Sequence, residues 1–310
     1  MTHHWSASQI PSQQGRTALI TGANSGIGFQ ASLELARHGA HVLLACRTQA
    51  KGEEAATRIR QQIANASVEA VLLDLASLTS IRSFAAAFSA TGRPLDLLII
   101  NAGVMALPER RTTADGFELQ FGTNHLGHFA LTGLLIPALL AAPQPRVVTV
   151  SSIAHKRGHM NFADLQGENS YRPWPAYSQS KLANLLFALE LDRRAKAQHS
   201  KLLSSPVHPG VSRTNLFANG PGTADLKSKL LHIFGFAIMQ PDAAGALPTL
   251  YAATDPAIRG GEYIGPDSPL EFKGSPTRVK PNRQALDPEV ARRLWTVSEA
   301  LTGVEYPPLA

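Results

Sequence analysis

The sequence predicts an α/β protein, a single domain built on a doubly wound parallel sheet with helices on both faces. Three observations carry this. Six short apolar runs alternate with helix-like stretches along much of the 310-residue chain, the pattern of strands joined by crossover helices. The runs are apolar almost throughout rather than at alternate positions, as expected of strands buried on both faces. A hydrophobic content of 44% over this length is ample for a sizeable core.

In chain order, residues 1–14 read as a flexible tail with no apolar signal run. TALIT (17–21) predicts the first strand, which turns through Gly22, Gly26 and Gly28 into a helix over 26–38. A helix N-terminus offers free N–H groups and partial positive charge to a phosphate, and glycines let the backbone turn sharply beside it. HVLLAC (41–46) predicts the second strand. It ends in Cys46 and Arg47 where a carboxylate for a ribose 2′-hydroxyl would otherwise stand. Arg47 can pair with a 2′-phosphate in bidentate fashion, and Thr48 and Lys51 add donors. NADP(H) is therefore expected in preference to NAD(H), against the alternative of a solvated surface arginine. Helices over 50–64, 77–90, 114–140 and 175–197 alternate with strands over 68–74, 95–100, 146–151 and 201–208. Beyond 208 the alternation breaks down. A segment over about 214–245 holds an apolar patch, LLHIFGFAIM (230–239), and a further short strand is expected near 260–265. The catalytic domain is taken to span 15–270, with the Pro-rich 271–310 as an extension packed on it.

Only one of the five tyrosines, Tyr177, has a lysine four residues on, Lys181. On a helix the two share a face. A phenol loses its proton near pH 10, and a neighbouring ammonium lowers that value. Tyr177 could then protonate a carbonyl oxygen or take the proton of an alcohol; the bland alternative is an exposed tyrosine–lysine pair. The histidine pairs His125/His128 and His155/His159 have spacings that permit metal ligation, but no nearby carboxylate or thiol completes a set, and no metal is expected. The net charge of +6 suits anionic ligands, yet no run of basic residues points to nucleic acid. A single cysteine excludes an intramolecular disulfide, and no stretch approaches 18 consecutive apolar residues, so a cytoplasmic protein without a spanning helix is expected.

Five motifs then occur in a fixed order: TGANSGIG (21–28), NAG (101–103), TNHLGHF (123–129), VTVSS (148–152) and YSQSK (177–181), followed by HPGVSRT (208–214). In this order they resemble the short-chain dehydrogenase/reductase family over about residues 15–265, with a Rossmann-type fold. ACRTQAKGEEA, TNHLGHFALT, VSSIAHKRG and AYSQSKLANLLFALEL are similar to its retinol-dehydrogenase-like branch, as is the 25-residue spacing from Ser152 to Tyr177. Many animal members carry a hydrophobic N-terminal anchor that this chain lacks, so a soluble, bacterial-type relative is expected.

The resemblance implies roles residue by residue. Gly22, Asn24, Ser25, Gly26, Ile27 and Gly28 form the cofactor turn. Asp74 and Leu75 meet the adenine, with a capping carboxylate as the alternative for Asp74. Asn101, Ala102 and Gly103 line the adenosine ribose. Pro209, Gly210, Val211 and Thr214 frame the nicotinamide and phosphate. Tyr177 is the acid–base, Lys181 also holds the ribose hydroxyls, and Ser152, with Ser151 as fallback, polarises the substrate oxygen. Asn124 holds a water that refills the proton, or else caps a helix. The implied reaction interconverts an alcohol and its aldehyde or ketone, and the apolar segment over 214–245 points to a small hydrophobic substrate. The basic flank Lys227 and Lys229 before the apolar patch allows a weak peripheral membrane contact, and the resemblance allows a homo-oligomer through the helices over 114–140 and 175–197. The contrasting reading is a non-catalytic NADP-binding regulator or scaffold.

Overall fold

The computed structural model describes residues 4–211 and 240–310. The six expected runs are strands: β1 Thr17–Thr21, β2 His41–Cys46, β3 Val68–Leu72, β4 Leu97–Ile100, β5 Arg146–Val150 and β6 Leu203–Val207. With β7 Ile264–Pro266 and β8 Pro276–Arg278 they form one sheet of order β3-β2-β1-β4-β5-β6-β7-β8. Strands β1 to β7 run parallel and β8 is antiparallel to β7. The chain winds outward from β1 to β3 and then crosses back to β4 on the other side of β1. This makes a switch point between β1 and β4, with a crevice beyond the carboxyl ends of the strands.

The helices among the described residues are α1 Gly26–Arg37, α2 Gln49–Gln62, α3 Leu78–Ala90, α4 Leu119–Ala141, α5 Pro173–Ala197, α6 Asp242–Thr254 and α7 Pro288–Thr302. Alternation of side chains along each strand divides the interior into two layers. Ala18, Ile20, Val42, Leu44, Leu97 and Ile99 pack under α1, α2 and α6, while Leu19, Leu43, Leu98, Ile100 and Val147 pack under α3, α4 and α5. Both faces of the central strands are thus covered, which is why their sequences are apolar without a break.

Two expectations need correction and two gain detail. Residues 114–118 are not helical. The Glu118 carboxylate accepts from the backbone N–H groups of Gln120 and Phe121 and starts α4 at Leu119. Asp115 instead caps α3, accepting from Leu78 N at 2.9 Å. The segment before β1 is packed from Trp5 onward: Trp5 meets Tyr251 edge to face, with ring centroids 5.2 Å apart, and Ile10 joins the same core layer. The Pro-rich end holds β8 and α7, and α7 buries Trp295 at 2% exposure against Phe129 and Phe187. Finally, α4 is long and apolar enough, at 23 residues, to cross a membrane by composition, but 72% of its apolar 18-residue stretch is buried inside the protein. It is the central helix of the second core layer. The predicted substrate segment over 214–245 lies mostly outside the described residues.

Candidate active site

A cleft of 550 Å³ opens beyond the carboxyl ends of β1, β2, β4, β5 and β6. Gly22 and Gly26 turn the chain out of β1 with φ of 67° and 58°, the left-handed region that glycine adopts without strain. Ser25 precedes α1 but makes no side-chain cap bond, so the first N–H groups of α1 remain available to an anion. Gly28 does not face the cleft. A Cβ there would lie 2.5 Å from both the Gly22 carbonyl oxygen and Asn101 Nδ2, so Gly28 is what lets α1 seat on the turn.

The two halves of the switch point are tied by Thr21. Its hydroxyl accepts from the backbone N–H groups of Asn101 (2.9 Å) and Ala102 (3.0 Å). It lies 2.9 Å from Nε2 of His128, whose Nδ1 lies 2.9 Å from the Asn124 carbonyl oxygen. The carbonyl can only accept, so Nδ1 carries the hydrogen and Thr21 donates to Nε2. Asn101 Nδ2 donates to the Thr21 carbonyl at 2.9 Å. Sequence reasoning missed Thr21 and His128; their signal was only a polar side chain at a strand end and a second histidine one helical turn after Asn124.

At the adenosine end, Arg47, Thr48 and Lys51 line the cleft. Arg47 and Lys51 are exposed and make no ion pair among the described residues. The Cys46 thiol is buried under the glycine turn, and burial pushes it up to about 11 despite bonds from the backbone of Ala23 and Asn24. Asp74 also lines the cleft, and its Oδ1 accepts from Ala76 N at 2.9 Å. It does cap its own turn, as the alternative reading allowed.

At the other end, Tyr177, Ser152 and Lys181 converge on the cleft floor. Tyr177 is 6% exposed, and the Ser152 hydroxyl bonds to its phenol. Burial pushes the phenol up to about 12, with the Ser152 bond opposing it. The expected lowering by Lys181 is not found: burial raises the phenol and the opposing effect is the Ser152 bond. Lys181 Nζ sits 6.0 Å from the Tyr177 ring centroid and donates to the Val150 carbonyl at 3.1 Å. Burial brings Lys181 itself down to about 8. Ser151, the fallback, donates to the Lys181 carbonyl at 2.7 Å.

Asn124 lies in the interior of α4, within a π-helical turn over Gly122–Leu126, so it is not a helix N-cap. Its Oδ1 accepts from Val104 N (2.8 Å), and its Nδ2 donates to the Val104 carbonyl (2.9 Å) and to Ser180 Oγ (2.9 Å). Ser180, unrecognised from sequence, also donates to the Tyr177 carbonyl at 2.8 Å. Gly103 lies between Asn124 and Lys181: a Cβ there would stand 3.0 Å from Asn124 Oδ1 and 3.6 Å from Lys181 Nζ.

Asn24, Ser25, Ile27, Leu75, Ala102, Pro209, Gly210 and Val211 also line the cleft, whereas Asn124 supports it from behind. Thr214 lies outside the described residues. Met105, Leu119, Ile153, Ala154 and Trp174 form an apolar wall beside Tyr177 that the sequence reading did not identify. The histidines weighed as metal ligands have other partners: His125 reaches Ser298, His155 the Ser152 carbonyl and His159 Gln284.

Residues 16–222 match the family model described as short chain dehydrogenase. The chain is 45% identical to retinol dehydrogenase 13 of Homo sapiens over 296 residues, covering 94% of this chain and 86% of that protein. It is similar to an uncharacterized protein from Mycobacterium paratuberculosis, at 44% identity and a TM-score of 0.82, covering 98% and 99% of the two chains. A structure from Beutenbergia cavernae with bound NADP is 28% identical, with a TM-score of 0.63 over 81% of this chain and 95% of that one. The sheet order, the glycine turn and these likenesses agree, and the chain belongs to the short-chain dehydrogenase/reductase family, oxidoreductases that act on CH–OH donors with a nicotinamide cofactor.

Proposed function

We propose that the protein interconverts a hydrophobic alcohol and its aldehyde or ketone with NADP(H), using Tyr177 as the proton donor and acceptor. The observation that carries this is the meeting of Tyr177, Ser152 and Lys181 on the floor of a cleft whose far end is lined by Arg47 and Lys51. The residues present fit the cofactor: a glycine turn with uncapped N–H groups for the pyrophosphate, and beyond the end of β2 two cations, Arg47 and Lys51, that make no ion pair among the described residues, for the 2′-phosphate. When bound, the nicotinamide supplies or accepts the hydride.

The chain's own residues do the rest. Ser152 holds the substrate oxygen by a hydrogen bond. Tyr177 delivers its proton to that oxygen as the carbon gains a hydride, or takes the proton in the reverse direction. The phenol is protonated at neutral pH, as any tyrosine is, and burial raises it further, so the resting site is prepared for carbonyl reduction. Lys181 provides a cation and donors beside the phenol. Asn124 and Ser180 clamp the Val104 backbone and the first turns of α5, holding the tyrosine in place.

The apolar wall of Met105, Leu119, Ile153, Ala154 and Trp174 supports a hydrophobic substrate, and the likeness to a retinol dehydrogenase points the same way. The site lies in a chain whose single cysteine is buried and free, in keeping with a cytoplasmic setting.

The test is absorbance at 340 nm with NADPH and then NADH against a panel of apolar aldehydes and ketones. Oxidation of NADPH should fall by about 10²–10⁴-fold in Tyr177→Phe. Arg47→Ala should raise KM for NADPH by about tenfold or more and leave KM for NADH unchanged. Full activity in Tyr177→Phe, or NADH used as well as NADPH by the native protein, would overturn the corresponding part.

A further inference from the structure

The loop over 267–275, between β7 and β8, lies beyond the residues matched by the family model. It nevertheless grips the segment after β6 at several points. The Phe272 carbonyl accepts from Val211 N at 2.8 Å. The same carbonyl oxygen would lie 2.3 Å from a Cβ on Gly210, whose φ is 67°, so only glycine allows that approach. Gln240 adds a second hold, donating to the Pro209 carbonyl at 2.6 Å and accepting from Gly274 N at 3.4 Å.

Glu271 is the charged centre of this contact. Its Oε1 lies 2.8 Å from Lys156 Nζ and its Oε2 lies 3.1 Å from Nε2 of His208. The His208 side chain is fully buried, against 17% exposure for that of Glu271. His208 Nδ1 accepts from Gly210 N at 3.2 Å. The hydrogen of the neutral ring is therefore on Nε2, facing the carboxylate, although the N–H is not aimed along the line to Oε2. Lys156 lies four residues after Ser152, and the intervening His155 is within 2.7 Å of the Ser152 carbonyl and 3.2 Å of the Tyr263 hydroxyl. One carboxylate thus faces both the segment that carries Ser152 and the segment that ends in Pro209–Val211.

The backbone points the same way. Glu271 has a φ of 56°, in the left-handed region that a residue with a side chain occupies at a cost. Glycine or asparagine would relieve that cost, but neither would place a carboxylate beside His208.

We propose that Glu271 is a positioning residue for hydride transfer, fixing through His208 and the adjoining Phe272 carbonyl the Pro209–Val211 backbone at the nicotinamide end of the cleft. It rests on the cofactor reading above and adds to it a determinant contributed by the end of the chain. Glu271 touches no reacting atom, so its loss should act at one end of the cofactor and not at the other.

The experiment compares dissociation constants for NADPH and for adenosine 2′,5′-bisphosphate, which reaches the Arg47 end only, in the native protein, Glu271→Gln and Glu271→Asp. In Glu271→Gln, NADPH should bind about tenfold more weakly with a parallel fall in kcat, while adenosine 2′,5′-bisphosphate binds as in the native protein. Glu271→Asp keeps the charge and suits the left-handed backbone, and should recover part of the loss. Equal weakening of both ligands would mean general destabilisation, and unchanged NADPH binding would mean no role; either overturns the proposal. A native protein that binds neither NADPH nor the bisphosphate would instead overturn the cofactor reading itself.

Discussion

Ser151 gives its hydroxyl hydrogen to the Lys181 carbonyl and is 2% exposed, whereas Ser152 accepts from Ala154 N at 3.2 Å and reaches the Tyr177 phenol. The first serine thus fastens α5 to the end of β5, and the second faces the cleft beside Tyr177. Ser152→Ala should lower kcat by about 10²–10³-fold, the loss typical of removing one donor to a developing oxyanion. Ser151→Ala should leave kcat within a few-fold and cost about 1 kcal/mol of stability, the net value of one hydrogen bond. Steady-state rates and urea midpoints on the two variants separate them, and the reverse ranking would exchange their roles. Ser152, Tyr177 and Lys181, which the structure brings to one cleft floor, were legible because each proposed role needs a particular functional group at a particular strand or helix end. Thr21, His128 and Ser180 were not. They act through backbone groups brought together by the sheet crossover, and a hydroxyl that bonds backbone looks the same in sequence wherever it stands. The expected lowering of the tyrosine failed for a related reason: spacing reveals a lysine near the phenol but not the burial that sets its value.

Helix and strand positions followed closely from apolar runs, and errors fell where side-chain caps set the ends. Residues 114–118 are expected in the helix that follows, yet Glu118 turns its carboxylate onto the N–H groups of Gln120 and Phe121 and begins α4 five residues later. The π-helical turn over Gly122–Leu126 has no sequence signature either. Such turns occur often at functional sites, and this one holds the Asn124 side chain against Val104 and Ser180. It is followed by Gly127, where α4 meets the loop after β3. A Cβ at Gly127 would lie 2.3 Å from the Leu75 carbonyl oxygen. Backbone cannot yield there without moving the Asp74–Ala76 turn or the helix that carries Asn124. Gly127→Ala should therefore destabilise the fold by about 1–3 kcal/mol despite the better helix propensity of alanine, measured as a lower urea midpoint. An unchanged or higher midpoint would show that α4 can shift without cost.

Across the whole molecule, the doubly wound order with its switch point between β1 and β4 was legible from alternation alone, because parallel strands buried on both faces leave uninterrupted apolar runs. The chain ends were not. Trp5 and Trp295 are isolated aromatics in polar, Pro-rich surroundings, and only the assembled core shows where they pack. The α7 helix also brings Ser298 to His125, deep in an aromatic cluster with Phe121, Phe129 and Phe187. Burial holds both His125 and His128 down to about 3, and His155 to about 4. Imidazoles whose folded-state values lie below the ordinary 6.5 stay neutral in the native protein and take up protons on unfolding. Their contribution to stability is therefore complete above about pH 6.5 and is lost as the pH falls toward 3. Glu118 and Asp192, raised by burial, act in the opposite sense, so the histidine effect is read as the difference between variant and native protein at each pH. His125→Phe keeps an aromatic ring in the cluster and removes a buried Nδ1 that has no hydrogen-bond partner, while Ser298 still donates to the Leu294 carbonyl. Its stability at pH 7 should match or exceed that of the native protein. Between pH 6.5 and 5 the slope of unfolding free energy against pH should be shallower by about 1.4 kcal/mol per pH unit at most, one proton's worth. Urea unfolding at stepped pH measures both quantities; an unchanged slope would mean that His125 is already protonated in the native fold or stays neutral in the unfolded chain.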